Sequence, residues 1–286
     1  MPKISIITTV YNLSEHIGKC VQSLLAQTYR NVEIILVDDC STDDSKEIIG
    51  HYAALNSDRL RIITHKTNMG AGQARRTGIE AATGDYVITV DGDDWLSPDF
   101  IEKLARNAME TGADIVSGGI TAVYPDGYEE VKRFPERCSV GLQKFRDYGN
   151  GRIVFLNNKL VRRSMYDTVP YSTRRYCEDT PVILPLLYYA NKVSYVDTQG
   201  YYYLQHGKSL CHKVSTFEDA LFKALCSKEC MEFFSDKGDE YKGLISMPEF
   251  LQYLRIIKAN MTAEAEKVYR SELGELMPAL LKLAEI

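Results

Sequence analysis

Through about the first 120 residues, short β-branched runs alternate with longer segments whose apolar residues recur at helical spacing. Repeated strand-helix-strand units of this kind bury both faces of a parallel sheet, which confines the chain to the α/β class. The expected strands are Ile4–Val10, Val32–Val37, Leu60–Thr64, Tyr86–Val90 and Asp114–Ser117. Several are apolar on both faces, as a sheet covered by helices on each side requires. Four helices are expected between them. The first, about Ser14 to Gln27, aligns Ile17, Val21, Leu24 and Leu25; the second starts at Ser41 with Asp44 three residues on, an acidic variant of a capping box. The third follows Gly70 and Gly72 and runs to about Ala82. The fourth takes Ser97 as N-cap and Pro98 in its first turn, and closes at Gly112.

Beyond Ser117 the rhythm breaks. Ile120–Tyr124 and Tyr128–Phe134 flank Pro125, Asp126 and Gly127 as the arms of a hairpin would. Residues 138–180 are rich in Arg, Tyr, Asn and Gly and hold one short apolar strand near Ile153–Leu156, so a loop-heavy region lining a site is expected. A helix over Val182–Ala190 and strands at Val193–Val196 and Tyr201–Leu204 follow, and from about Phe217 to Ile286 the spacing is helical. The chain therefore divides into an α/β unit over residues 1–205, with a change of character after 117, and a basic loop with a helical appendage over 206–286.

Charge and composition narrow the function. A formal net charge of -5 offers no broad basic field for nucleic acid. The most apolar uncharged run, Thr180 to Asn191, contains two prolines and falls short of the roughly 20 residues that span a bilayer. Seven cysteines without CxxC spacing read as reduced thiols. Together with a start that lacks a signal-like segment, they lead us to expect a cytoplasmic protein.

Ligands collect at the carboxyl ends of parallel strands, and acidic groups gather there. Strand two runs into Asp38, Asp39, Cys40, Ser41, Thr42, Asp43 and Asp44; strand four runs into Asp91, Gly92, Asp93 and Asp94. Crowded carboxylates repel unless a cation or donor-rich ligand sits among them, and a hard oxygen set suits Mg²⁺ or Mn²⁺ over zinc. Asp43 and Asp44 are read as helix-capping residues, whereas Asp91–Asp94 are read as a ligand site whose glycine admits close approach of backbone. Between the clusters, Asn68, Gly70, Gly72, Ala74, Arg75, Arg76 and Gly78 open a helix suited to an anion. A third acidic pair, Glu178-Asp179, precedes Thr180-Pro181; Asp179 is either an N-cap or a general base.

The ordered set Ser5–Val10 with Tyr11-Asn12, Val37–Asp43, Asn68-x-Gly70 with Ala74-Arg75, Asp91–Asp94 and Glu178-Asp179 resembles glycosyltransferase family 2 over roughly residues 3–205. The resemblance implies the GT-A fold: a Rossmann-like, mostly parallel central sheet with a smaller mixed acceptor-side region, here extended by the C-terminal helices. Residues 1–117 would be the nucleotide-binding half and 118–205 the acceptor-side half. The implied activity is inverting transfer of a sugar from a UDP-sugar to a hydroxyl of a saccharide or glycolipid acceptor, in surface polysaccharide or glycoconjugate synthesis. Thr9, Tyr11 and Asp39 would hold uracil and ribose, with Arg75 near the base or diphosphate. Asp91, Gly92 and Asp93 would form the DxD stretch, in which Asp93 binds Mn²⁺ or Mg²⁺ directly and Asp91 faces the ribose. Asp94, Trp95 and Glu178 would lie on the acceptor side, and Asp179 would be the catalytic base. The Gln and Arg flanking a Trp that mark processive members are missing, since Trp95 is the only Trp, which favours transfer of a single sugar.

The same resemblance places a mobile basic loop after Tyr201–Leu204, from which His206, Lys208 or Lys213 would close over the diphosphate and His206 or His212 would complete the metal shell. Arg162-Arg163 and Arg174-Arg175 are read as solvated, with an anionic acceptor as the alternative. A nucleotidyltransferase is a competing reading, but it would need a Gly-rich basic loop where Tyr11-Asn12-Leu13 stand. A non-catalytic nucleotide-sugar binding module is another, against which Asp93 and Asp179 weigh. The C-terminal helices, with Phe233-Phe234 and Leu276–Leu283, are expected to pack on the core; a homodimer or peripheral contact with the inner face of a membrane are the alternatives.

Overall fold

The computed structural model describes residues 1–133, 137–145, 155–172, 179–206, 216–242 and 247–282. Strands β1 (Ile4–Val10), β2 (Val32–Asp38), β3 (Leu60–Thr64) and β4 (Tyr86–Asp91) form where the apolar runs predict. They pair in parallel in the order β3-β2-β1-β4. Helices α1 (Ile17–Leu25), α2 (Ser45–Leu55), α3 (Ala71–Ala81) and α4 (Phe100–Thr111) cover them. Side chains alternate across each strand, which creates two cores. Ile4, Ile6, Ile34, Leu36 and Ile88 pack with α1 and α4, while Ile7, Ile35, Val37 and Val87 pack with α3. The α3 contact is close enough that a Cβ on Gly78 would collide with Ile7 Cγ2.

Two helix starts differ from expectation because local polar groups are engaged elsewhere. Helix α2 begins at Ser45, not Ser41: the Ser41 hydroxyl accepts from Asn12 N–H, and its own N–H donates to Asp38 Oδ1, so no capping box forms. Helix α4 begins at Phe100 with Asp99 at its N-cap position; Ser97 instead donates its N–H to Gly200 O. Gly112 closes α4 with φ 67°, a left-handed position that glycine adopts without a Cβ penalty.

The second half interrupts the parallel order. Strands β5 (Trp95–Leu96), β6 (Ile115–Val123), β7 (Glu129–Lys132), β8 (Arg137–Ser139), β9 (Lys159–Arg162) and β10 (Val193–Leu204) extend the sheet as β4-β9-β6-β10-β5, with β7 on β6 and β8 on β10. β9 runs antiparallel to both β4 and β6. Leu160 faces one core and Val161 the other, which is why the strand forms here. Of the expected strand near Ile153–Leu156, Ile153 and Val154 lie outside the described residues. β6 and β10 each fuse two expected pieces. They pair in parallel with a register shift between Val196 and Tyr201, and Gly119 admits the Thr198 carbonyl, which would stand 2.5 Å from a Cβ.

Helix α5 (Thr180–Tyr189) packs on the α3 face, and α6 (Thr216–Phe234), α7 (Asp239–Lys242), α8 (Met247–Ala259), α9 (Ala263–Val268) and α10 (Arg270–Lys282) form the appendage. Phe217, Leu221, Leu225, Leu254 and Leu276 make its own core. Phe234 at the end of α6 instead joins Phe145, Tyr188 and Tyr241 against α5, and burying that one ring contributes about 2 kcal/mol. Among the described residues no helix is long and apolar enough to cross a membrane. The cysteines among them are free thiols; Cys177 and Cys211 lie outside.

Candidate active site at the carboxyl edge of the sheet

The parallel strands deliver Tyr11, Asp38-Asp39, His65 and Asp91 to one edge. Because β9 is antiparallel, its amino end, with Asn157, Asn158 and Lys159, reaches the same edge. At the β2 corner Asp39 is buried and accepts from the N–H groups of Met69 (2.8 Å) and Gly70 (2.7 Å), with His65 Nδ1 2.7 Å away. Sequence reasoning expected this carboxylate to contact uracil and ribose. In the structure both oxygens bond within the chain, pinning the loop before α3 to β2. Thr9 is half-buried between Val37 and Asp91 in register, and Tyr11 is 46% exposed beside them. Asn12, at φ 53°, accepts from Thr42 N–H and closes the turn. Against the cost of burial, hydrogen bonds from Ser45 and Ser14 hold the Asp43 carboxyl down at about 2, so it is a structural bracket as read from the sequence.

The loop after β4 splits its acidic residues between two environments. Asp94 is fully buried: it accepts from Tyr201 Oη (2.7 Å) and Leu204 N–H (2.9 Å), and burial pushes its carboxyl well above the usual range. Asp94, expected beside the sugar, ties the end of β10 to the loop. Gly92 also has a packing reason, since a Cβ there would lie 2.7 Å from Leu13 Cδ1 and 2.8 Å from Thr9 O. Asp93 faces His206, whose Nε2 lies 2.9 Å from Oδ2. His206, expected with His212 as a candidate to complete a metal shell, thus lies beside Asp93, and the His16 ring stands 4.9 Å from that of His206.

Asp91 turns to protein partners. Its Oδ2 accepts from Asn157 Nδ2 at 2.6 Å, and its Oδ1 lies 3.5 Å from Arg75 Nη2. Burial pushes its carboxyl up to about 6 against the opposing pull of Arg75. The same guanidinium, 6% exposed, donates from Nη1 to Asp179 Oδ1 at 2.7 Å. Arg75, expected near the base or diphosphate, bridges two carboxylates from distant motifs. Asp179 stands at the N-cap position of α5 but makes no side-chain cap hydrogen bond. Its second oxygen accepts from Leu156 N–H at 3.2 Å. The Asp179 side chain is thus turned toward Arg75 and Leu156 and does not cap α5.

Of the other expected residues, Trp95, read as lying on the acceptor side, stacks its ring on Tyr202 (5.4 Å, 7°) and carries Lys19 Nζ 3.0 Å from its centre. Arg162 pairs with Asp114 and Arg163 donates to Gly84 O, at the amino end of β4 opposite the site. Glu178, Arg174, Arg175, Lys208, His212 and Lys213 lie outside the described residues.

Sequence reasoning missed His65, Asn157, Asn158 and Lys159. His65 directly follows β3 and would have been found by reading that strand end as closely as its neighbours. Asn158 sits at φ 58°, donates from Nδ2 to Gly118 O and accepts from Lys159 Nζ at 2.8 Å. Lys159 is 1% exposed, and burial pushes its ammonium down to about 7 against the pull of Asp179. An Asn-Asn-Lys run before the apolar pair Leu160-Val161 was the available signal, since Asn tolerates left-handed backbone.

Residues 5–169 match the family Glycosyl transferase family 2. EpsH of Bacillus subtilis (strain 168) is 32% identical over 238 residues, which cover 78% of this chain and 66% of that protein. Glycosyltransferase GlyG of Streptococcus pneumoniae serotype 4 is 28% identical over 249 residues, 82% of this chain and 79% of that protein. The chain thus spans about two thirds of the length of EpsH. Among solved structures, S. aureus TarS 1-349 in complex with UDP-GlcNAc superposes with TM-score 0.69 at 21% identity, covering 97% of this chain and 81% of TarS 1-349. The mannosyltransferase PcManGT of Pyrobaculum calidifontis, in complex with GDP-Man and Mn²⁺, gives 0.58 at 14% identity over 99% and 83%. At these identities the likeness to the solved structures is one of fold.

Proposed function

Since the chain belongs to glycosyltransferase family 2, matched over residues 5–169, we propose that it moves a single sugar from a UDP-sugar to an acceptor hydroxyl with inversion. The acceptor is a saccharide or glycolipid of surface polysaccharide or glycoconjugate synthesis. The observation that carries this reading is the Arg75 bridge, with Asp179 at 2.7 Å and Asp91 at 3.5 Å at the carboxyl edge of the sheet. Motifs far apart in the chain converge there, and nothing in the packing of a purely structural sheet calls for that convergence.

In the proposed mechanism, Asp179 takes the proton of the acceptor hydroxyl while that oxygen bonds to the anomeric carbon from the face opposite UDP. The bond from the anomeric carbon to the diphosphate oxygen breaks, and UDP leaves with the electron pair. Arg75 and Leu156 N–H hold the Asp179 carboxylate in one orientation, which favours proton transfer by positioning. Thr9, Tyr11 and the loop pinned by Asp39 would line the nucleoside. Among the described residues no three His, Cys, Asp or Glu side chains form a metal-holding group. Mg²⁺ and Mn²⁺ need less from the protein, because one or two carboxylates plus substrate phosphates suffice. Asp93, with His206 beside it, fits that demand. A divalent ion held there would supply charge that stabilises departing UDP.

Two measurements test the reading: a thermal-shift panel of nucleotides and nucleotide-sugars with and without Mn²⁺, and UDP release with saccharide acceptors. Ligands that bind the folded state raise its melting temperature. UDP and UDP-sugars are expected to do so in the presence of Mn²⁺, and UDP to be released on adding acceptor. Release of pyrophosphate in place of UDP, or stabilisation by no UDP compound, would overturn the proposal.

A further inference from the structure

With Trp95 engaged by Tyr202 and Lys19, an exposed aromatic ring adjoining the segment that holds the base belongs to a residue outside every recognised motif. Phe155 is 40% exposed, and it directly precedes Leu156, whose N–H holds Asp179 Oδ2 at 3.2 Å. Its ring lies 6.1 Å from that of Tyr203, tilted by 44°. Tyr203 in turn stands between Tyr201 and Leu204, the two residues that bind Asp94. The pair of rings therefore spans the gap between the segment that holds Asp179 and the loop that carries Asp91 and Asp93.

An exposed phenylalanine on a surface is ordinary. This one adjoins the residue whose N–H orients the proposed base and stands beside Tyr203 on the strand whose end is tied to Asp94. The negative face of an aromatic ring attracts the weakly positive C–H groups of a partner, and apolar contact adds to it. A pyranose ring presents such C–H groups on one rigid face, whereas an open-chain polyol carries the same hydroxyls without a fixed face. We propose that Phe155, with Tyr203 beside it, is the platform on which a pyranose ring of the acceptor packs, so that the acceptor is a sugar ring and not an open-chain polyol. This rests on the reading of Asp179 as the base of a glycosyltransferase.

The experiment measures KM for methyl β-D-glucopyranoside, methyl β-D-galactopyranoside and sorbitol, with the best UDP-sugar from the panel, for the parent and for Phe155→Leu and Phe155→Trp. Leu keeps apolar bulk and removes the π-face; Trp keeps it. Melting temperatures check folding, and KM for the UDP-sugar serves as the internal reference. For at least one pyranoside, Phe155→Leu is expected to raise KM about tenfold, the scale of one aromatic contact, while Phe155→Trp stays near the parent. Sorbitol is expected to be the poorer acceptor and indifferent to both substitutions. The proposal is overturned if KM for the pyranosides is the same in Phe155→Leu and the parent, if KM for the UDP-sugar rises in step with it, or if sorbitol outperforms both pyranosides. Absence of UDP release from the parent with every acceptor would instead overturn the glycosyltransferase reading itself, and the inference with it.

Discussion

Two corners of the carboxyl edge, one around Asp39 and one around Asp91, place their polar groups by different means. Around Tyr11 and Asp39 the partners are near in sequence: Asn12 meets Thr42 across 30 residues, Ser14 meets Asp43 across 29, and Asp39 meets Gly70 across 31. Around Asp91 and Asp179 the spacings grow to 66 for Asn157 with Asp91, 104 for Arg75 with Asp179, and 113 for His206 with Asp93. The first corner is built by adjacent strand ends and follows from local connectivity. The second exists only once β9 and β10 have taken their places in the sheet, so it depends on the order of the whole fold.

That difference can be broken at its most sensitive point first. Asp179→Asn keeps the shape of the second corner and removes its base, so kcat for sugar transfer is expected to fall by about 10²- to 10⁴-fold. UDP affinity, which the proposed function assigns to the first corner, is expected to stay within about threefold. Equal losses in both quantities would mean that the two corners are not separable. Arg75→Met comes next in size. Its guanidinium is 6% exposed, and removing it leaves two carboxylates without their shared cation, a change that costs about 3 kcal/mol when a buried pair is broken. Urea unfolding is expected to show that loss, and a change under 1 kcal/mol would demote the bridge to a surface contact.

The smallest effect sharpens the contrast through pH. Burial holds the Lys159 ammonium at about 7 in the folded chain, whereas unfolding returns it to about 10.4. Between those values the unfolded chain binds the extra proton, so the stability owed to this group rises with pH across the window and is lowest below pH 7. Relative to the parent, Lys159→Met is therefore expected to be more favourable at pH 6.5 than at pH 9, measured as the difference in unfolding free energy. A difference that does not move with pH would show that the ammonium is not buried as described. Asp91, raised to about 6 by burial, contributes in the other sense, since its share of stability falls as pH rises from about 4 to about 6.

The strands of the first half were readable because short, near-continuous β-branched apolar runs such as Ile4–Val10 and Val32–Asp38 carry their own signal. Helix starts at Ser45 and Phe100 were displaced because Ser41 and Ser97 bond to loops that no local pattern reveals. The acidic clusters were found by their place after strands, but their roles divided only on folding. Asp93 remained open beside His206, while Asp94 was sealed under Tyr201. Trp95 stood out as the only Trp, yet a ring's neighbours are a property of the sheet, and Tyr202 reaches it through the β5-β10 pairing.

The amino-acid order alone determined the α/β class, the parallel first half and the positions of the acidic loops, because periodicity and strand-end position are local properties of the chain. Only the tertiary structure decided that Arg75 joins Asp91 to Asp179, that Asp94 is buried, and that Asn157 to Lys159 belong to the site. Those outcomes follow from the antiparallel insertion of β9, whose amino end arrives at the edge where its parallel neighbours end. That insertion is set by the packing of Leu160 and Val161 into two cores drawn from the whole chain.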